Sequence, residues 1–245
     1  IRAKRRETQN ETLDKGWKVA AEHWDMVLRG ASLGMTTTHA LPTTPLRGAL
    51  GLARKALSED IVPTLTSELP GGGKVRKPQT VPNPDAIFMP ACVGTMFGTE
   101  HACGTGVGGA VRELAAYAGL RLSTPAGVQE LCCGTPWKSK GLAKGYEVMK
   151  DKLTSWIVQH THHGRIPLVC DNVSCTEGIV VALKNAGVEG ITVMDATEWV
   201  ATYVAPVLPP LAKARKAAVH PTCSSTHLGV NDALMMLAGL VADEA

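Results

Sequence analysis

From Asp85 onward the chain alternates short apolar runs with longer stretches whose apolar residues recur at helical spacing. "AIFMP" reads as a strand and "VGGAVRELAAYAGL" as the helix after it. "LRLSTP", the long helix "GLAKGYEVMKDKLTSWIVQHT" and the strand "IPLVC" follow. "TEGIVVALKNAG" is then a helix, "GITVMD" a strand, "ATEWVATYVAPVL" a helix, "KAAVHP" a strand and "STHLGVNDALMMLAGLVADE" a helix. Short apolar runs bounded by breakers suit buried strands, and longer amphipathic stretches suit helices. Strands alternating with helices predict an α/β fold, a Rossmann-like parallel sheet with helices on both faces. Right-handed crossovers then bring the loops that follow the strands to one edge of that sheet.

Residues 1–80 have a different texture. "KGWKVAAEHWDMVLRGASLGM" places Trp17, Ala20, Ala21, Trp24, Val27 and Leu28 near helical spacing, and "TTPLRGALGLARKAL" reads as a second, shorter helix. "ELPGGGKVRKPQTVPNPD" is a connector too rich in Gly and Pro for regular structure. Its "GGGK" lacks the earlier glycine of a phosphate loop and carries Val75 where that loop needs a hydroxyl. The predicted division is a helical segment with connector over 1–80, an α/β domain over 81–215, and a separate unit beginning at 216–245.

Composition changes little. Of 245 residues 44% are hydrophobic and 19% charged, ordinary for a globular chain, and a net charge of +3 gives no reason to expect nucleic acid. No run of about 18 apolar residues predicts a membrane span. Ile1 is followed by Arg2, Lys4, Arg5 and Arg6 with no apolar run behind them, so no signal peptide is read. The opening is expected to be cut from a longer protein, with an upstream targeting signal left open. The basic arm reads as a solvated surface.

The seven cysteines, Cys92, Cys103, Cys132, Cys133, Cys170, Cys175 and Cys223, change the picture more. An odd count does not suit a secreted disulfide framework. Adjacent cysteines also pair poorly with each other, since a disulfide needs about 4.4–6.8 Å between Cα atoms in a set orientation. Cys92 follows "AIFMP", Cys132–Cys133 follow "LRLSTP", Cys170 and Cys175 bracket the end of "IPLVC", and Cys223 follows "AAVHP". Four segments are thus expected to deliver thiols to the carboxyl edge, where open α/β sheets bind ligands. Soft thiolates select zinc, copper(I) or iron–sulfur clusters. Structural zinc sites favour pairs such as C-x2-C. A C-C pair serves different metals of one cluster more readily than one tetrahedral ion, so the spacing leans toward iron–sulfur.

Cys92, 39 intervening residues, then Cys132-Cys133-Gly134 and a terminal cysteine at Cys170 or Cys175 resemble the cysteine-rich CCG domain. That module occurs in heterodisulfide reductase B subunits, glycolate oxidase iron–sulfur subunits and the C-terminal part of FAD-linked D-lactate dehydrogenases. "FMPACVGTMFG", "LCCGTPWKSKGLAKGYEVM", "VCDNVSCTEG" and "VHPTCSSTHLG" are most similar to the last group, over residues 85–245. The resemblance implies a [4Fe-4S] cluster, non-cubane in the best-described relatives, held by Cys92, Cys132, Cys133 and Cys175. The family closes its motif with C-x2-C, but Asn172 stands three residues before Cys175, so Cys170 is the alternative ligand. With that departure, a conventional cluster, zinc or an empty site stays open. Cys223 resembles the first cysteine of a second repeat that is truncated here. The resemblance further implies FAD and ferredoxin-like domains upstream, and a quinone or cytochrome as acceptor. The location it implies is cytoplasmic or peripheral at the inner face of a membrane. The alternative is a zinc-bound or apo interaction module of the same kind of oxidoreductase.

Other patterns carry less. "GTGVGG" matches G-x-G-x-x-G but lies well beyond the first strand, and its next carboxylate, Glu130, falls in the CC loop, against a nicotinamide site. These glycines are expected to start a helix or let backbone pass close to a cluster. The histidines of "HTHHG" are expected to cap the end of the long helix. His220 is expected to tune a nearby cluster. Lys138 and Lys140, just after the CC pair, are candidates for stabilising thiolates. Neither a serine elbow nor an HExxH helix is present, so a hydrolase has no support. Changing Cys103 or Cys223 to serine is expected to leave the metal content of the first site intact. Loss of metal on elemental analysis of the Cys103 variant would reassign the ligands.

Overall fold

"AIFM" is apolar at every position, and each of its side chains is buried in a strand, β1 (Ala86–Met89). Ile87 and Met89 enter one core, Ala86 and Phe88 the other, so the alternation of a strand serves two covered faces. In the computed structural model, which describes residues 11–40, 70–99 and 105–244, β1 sits inside a four-stranded parallel sheet. The other strands are β2 (Leu122–Ser123), β3 (Leu168–Cys170) and β4 (Val193–Asp195), in the order β2-β1-β3-β4. Met89 is in register with Cys170, and Cys170 with Asp195.

Helices cover both faces as expected. α1 (Glu11–Glu22) and α2 (Trp24–Ala40) form the N-terminal segment. α3 (Val93–Met96) and α4 (Gly106–Tyr117) follow β1, while α5 (Thr135–Lys140) and α6 (Ala143–His160) lead to β3. α7 (Val173–Asn185) joins β3 to β4, and α8 (Ala196–Trp199) runs on through a π turn, Val200–Val204. One core joins Ala21, Trp24 and Leu28 of the N-terminal helices to residues of α5, α6 and α7. The other joins Val111 and Ala115 of α4 to Trp199, Val200 and Val204. The β1–β2 connection therefore runs over one face and the β2–β3 connection over the other. Strands are added on one side of β1 and then on the other, so the strand order reverses between the parallel neighbours β1 and β3, and the crevice beyond their carboxyl ends is the sheet's switch point.

Trp137 holds the N-terminal segment in place. Its ring is fully buried, lies 4.7 Å from the Trp24 ring and 6.2 Å from the Trp17 ring, and its indole N–H donates to the Trp17 carbonyl at 2.9 Å. The connector is ordered by hydrogen bonds instead of periodicity. Ser32 Oγ donates to the Gly73 carbonyl at 2.8 Å, Gly73 N to the Thr95 carbonyl at 3.0 Å, and Gln79 bridges Thr124.

The C-terminal part departs from the expected pattern. "KAAVHP", residues 216–221, is not a strand beyond its first residue; the strand there is β5 (Ala214–Lys216), exposed throughout, and it pairs in parallel with β6 (Ala242–Glu244) in a separate two-stranded sheet. The single helix expected over "STHLGVNDALMMLAGLVADE" is two, α9 (Cys223–Leu228) and α10 (Asn231–Val241), broken at Gly229 with φ +72°. Left-handed backbone ends helices because glycine adopts it without a Cβ clash. The order strand, short helix, helix, parallel strand is that of β1–α3–α4–β2. The shorter helix expected over "TTPLRGALGLARKAL", the basic arm and Cys103 lie outside the described residues. Among the described residues no helix is long and apolar enough to cross a membrane.

Trp137→Ala is expected to cost about 3–5 kcal/mol, the usual range for emptying a buried aromatic site. Urea unfolding followed by Trp fluorescence measures it, and a loss under about 1 kcal/mol would mean the N-terminal helices dock by other contacts.

Candidate metal centre

Three segments bring thiols to the switch point. Cys92 leaves β1 and starts α3, Cys132 and Cys133 lie in the loop before α5, and Cys170 ends β3 with Cys175 one turn into α7. The five form a row in which each thiol interacts with the next. The Cys92 and Cys132 sulfurs are 3.6 Å apart, Cys132 interacts with Cys133, Cys133 with Cys175, and Cys175 with Cys170. All are buried except Cys175, which is half-buried. The structure thus includes Cys170 in the row beside the expected Cys92, Cys132, Cys133 and Cys175.

Cys223 does not join them, contrary to a delivery of thiols from four segments. It is exposed at the start of α9, because the strand before it belongs to the small sheet.

Local sequence explains how the row is built. Gly134, with φ +81°, turns the chain from the CC pair into α5, and Pro136 fits that helix's first turn. Asn172, where the resembled motif has cysteine, is the N-cap of α7, its side-chain oxygen accepting from Cys175 N at 3.2 Å. Gly178 lets α7 lie against the CC loop. A Cβ there would stand 2.6 Å from Thr135 Oγ1 and 3.1 Å from the Cys133 carbonyl oxygen.

The thiols share protons unequally. Hydrogen bonds from Cys132 and then Cys175 hold Cys133 well below the ordinary thiol range, against its burial, with Thr135 assisting at 3.3 Å. Cys132 is pushed well up, first by Cys133 and then by Cys92, and Cys175 is pushed up by Cys133 and then Cys170. Cys92 is lowered chiefly by its hydrogen bond with Cys132 and, after the opposing effect of burial, by the Arg76 charge.

Arg76 is the buried cation that sequence reasoning missed. Its guanidinium donates to the carbonyls of Pro90 at 2.9 Å and Leu131 at 2.7 Å, and more weakly to Gln129 at 3.4 Å. Burial lowers its pKa, while Cys92, Cys132, Cys170 and Asp171 raise it. An arginine in a Gly/Pro-rich connector carries no periodic signal that could have revealed this. Lys138 and Lys140, the expected cations, occupy the last turn of α5, where Lys138 acts on Glu177 and Lys140 lies over the Trp17 ring.

Three buried donors beside Cys92 have no partner: Trp24 Nε1, Arg76 Nε and Thr95 Oγ1. Trp24 acts weakly on the Cys92 thiolate without making a formed hydrogen bond.

The remaining patterns settle outside the row. Gly106 starts α4, and Gly108 brings that helix against Asp171, whose carboxylate accepts from Ala91 N at 2.6 Å. The carbonyls at the end of α6 are capped by backbone N–H groups, His162 N to Gln159 and His163 N to Val158, and not by imidazoles. His162 and His163 take φ of 50° and 58° to do so. His220 is exposed. Glu177 on α7 accepts from Ser224 at 2.5 Å and lies 3.0 Å from His227 Nδ1, tying α9 to the helix that carries Cys175.

As the side chains stand, no group of three or more His, Cys, Asp or Glu among the described residues is disposed to hold a metal ion. The donor set, soft sulfur with a buried cation behind it, fits an anionic metal–sulfur group chemically. Set against family models, curated proteins and solved structures, the chain finds no match.

Alanine at Gly178 tests the packing of the row. Helix propensity alone would favour the change by about 1 kcal/mol. The clash with Thr135 and Cys133 is expected to reverse that sign, with a net loss of about 1–3 kcal/mol by urea unfolding. A stabilised variant would mean the CC loop yields freely to α7.

Proposed function

We propose that this chain is an iron–sulfur electron-transfer domain of an FAD-dependent oxidoreductase of the D-lactate (2-hydroxy acid) dehydrogenase type. The row of five thiols at the switch point, with the Cys92 and Cys132 sulfurs 3.6 Å apart and Arg76 behind them, carries the reading. Cys92, Cys132, Cys133 and Cys175 would hold a [4Fe-4S] cluster, with Cys170 adjoining Cys175. When bound, the cluster supplies reversible one-electron chemistry.

The chain's own residues prepare that position. Cys133 is readied as a thiolate by its neighbours, and Arg76 offsets the negative charge that several thiolates gather. The core around Trp24, Trp137, Met149 and Ile179 keeps water from the sulfurs. On this reading a flavin domain elsewhere oxidises the substrate and passes electrons through ferredoxin-like clusters to this domain. A quinone or cytochrome then receives them, in the cytoplasm or at the inner face of a membrane. Alone, the chain is expected not to oxidise lactate.

A zinc-bound or apo interaction module is the competing reading. A row of five thiols that includes an adjacent pair suits several metals better than the single centre of a tetrahedral ion.

Anaerobically reconstituted protein is expected to contain iron and acid-labile sulfide, and Cys133→Ser to lose or alter the cluster. Visible absorption with iron and sulfide analysis reads both. Stability should rise on loading, because metal binding free energy is partly folding free energy. Stoichiometric zinc without sulfide, kept by the Cys133→Ser variant, would overturn the proposal.

A further inference from the structure

Buried donors are nearly always paired, so each exception asks for an explanation. Six buried side-chain oxygen or nitrogen atoms among the described residues lack a partner, and three of them are donors beside Cys92. Each arrives from a different part of the chain: Trp24 from α2, Arg76 from the connector, Thr95 from α3.

Thr95 is the most telling. Buried threonines in helices normally return their hydroxyl to the carbonyl four residues back. Thr154, Thr161 and Thr176 all do so here, at 2.9, 2.8 and 3.1 Å. Thr95 is as buried as they are, but it is the third residue of its helix, where the residue four back is Ala91, ahead of the cap and bonded to Gly94 N, and its hydroxyl has no partner. Its backbone N–H bonds the Cys92 carbonyl at 3.0 Å, which puts its side chain one helical turn from the thiol.

Trp24 is equally constrained. Its ring is pinned at 4.7 Å from Trp137, so the indole N–H cannot swing out to solvent. Arg76 spends its two terminal nitrogens on Pro90, Leu131 and Gln129, which leaves Nε–H over. Thr95 is one turn from Cys92, Arg76 bonds the Pro90 carbonyl two residues before it, and Trp24 shares its core, so the acceptor nearest to hand is the sulfur that Cys92 carries or holds.

We propose that Trp24 Nε1–H, Arg76 Nε–H and Thr95 Oγ1–H form a donor half-shell for the anionic sulfur of a metal–sulfur group held at Cys92. The inference rests on the electron-transfer reading and adds what sets the bound group's potential. Hydrogen bonds to cluster sulfur favour the more negative, reduced state and so raise the potential. These residues position and tune; the cysteines ligate.

The half-shell has a signature that an ordinary packing role lacks. In the metal-free protein the donors are unpaired, so deleting one removes a penalty instead of a bond. In the loaded protein the same deletion removes a hydrogen bond. Thr95→Val keeps the shape and carries both readouts, whereas Trp24→Phe also loses ring contact with Trp137 and is read by potential alone.

Full-length chains of wild type and both variants are reconstituted anaerobically with iron and sulfide. Metal-free stability is measured by urea unfolding, the midpoint potential by redox titration, and metal retention by chelator competition. Thr95→Val is expected to leave the metal-free protein at least as stable as wild type, and both variants to lower the midpoint potential. Retention should weaken about 10- to 100-fold, the usual effect of losing a group that supports a metal ligand. An unchanged potential in both variants overturns the half-shell, as does a Thr95→Val chain destabilised without metal and unaltered when loaded. Wild type that assembles no iron and sulfide instead overturns the electron-transfer reading on which the half-shell rests.

Discussion

A single buried guanidinium sets the spacing of the candidate centre. Removing an arginine's charge from water costs several kcal/mol unless close acceptors replace the solvent. Arg76 finds them in the Pro90 and Leu131 carbonyls, on the loop that carries Cys92 and the loop that carries Cys132 and Cys133. The guanidinium fork is rigid, so satisfying both carbonyls fixes the distance between those loops. The Cys92 and Cys132 sulfurs lie 3.6 Å apart on the two loops so bridged. The same charge that orders the backbone also favours the thiolate at Cys92.

Arg76 is in turn held by the segment before it. The triple glycine threads between α2 and α3, bonded to Ser32 on one side and to Thr95 and Gly98 on the other. α1 and α2 are anchored through Trp17, Trp24 and Trp137, the last of these five residues from the CC pair's first cysteine. The helical segment, connector and CC loop therefore form one continuous path of contacts. Stability lost at the tryptophan cluster should be felt at the thiols, because packed interiors transmit displacement.

The opposite side of the row depends on α7. Asn172 fixes where that helix begins, Cys175 follows within its first turn, and Gly178 allows the closest approach to the CC loop. One residue before Gly178, Glu177 is held below the usual carboxylate range by Ser224 and then His227, both on α9. This attaches the small β5–β6 unit to the helix that presents Cys175. Asn172 departs from the resembled motif, and the cap explains what it does here. Cys170, two residues earlier at the end of β3, contacts Cys175 across the position the motif would have filled.

By itself the sequence determined the strands, the helices around them and the edge to which Cys92, Cys132, Cys133, Cys170 and Cys175 come. Those features are local: a strand covered on both faces must be apolar without interruption, and a loop after it must fall at its carboxyl end. The break at Gly229 was not legible, since a lone glycine inside a helical pattern ends the helix only where the folded backbone takes the left-handed turn. The fate of "KAAVHP" was not legible either, since whether a short apolar run becomes a strand depends on which strand edge lies free, and here the pairing with β6 falls on Ala214–Lys216 just before it. The exposure of Cys223 follows from that choice. Nor could Arg76, Thr95 or the N–H of Trp24 be assigned in advance, because each reaches the centre from a different stretch of chain. Burial and pairing are properties of what surrounds a group in space, and for these three the surroundings exist only once the chain has folded.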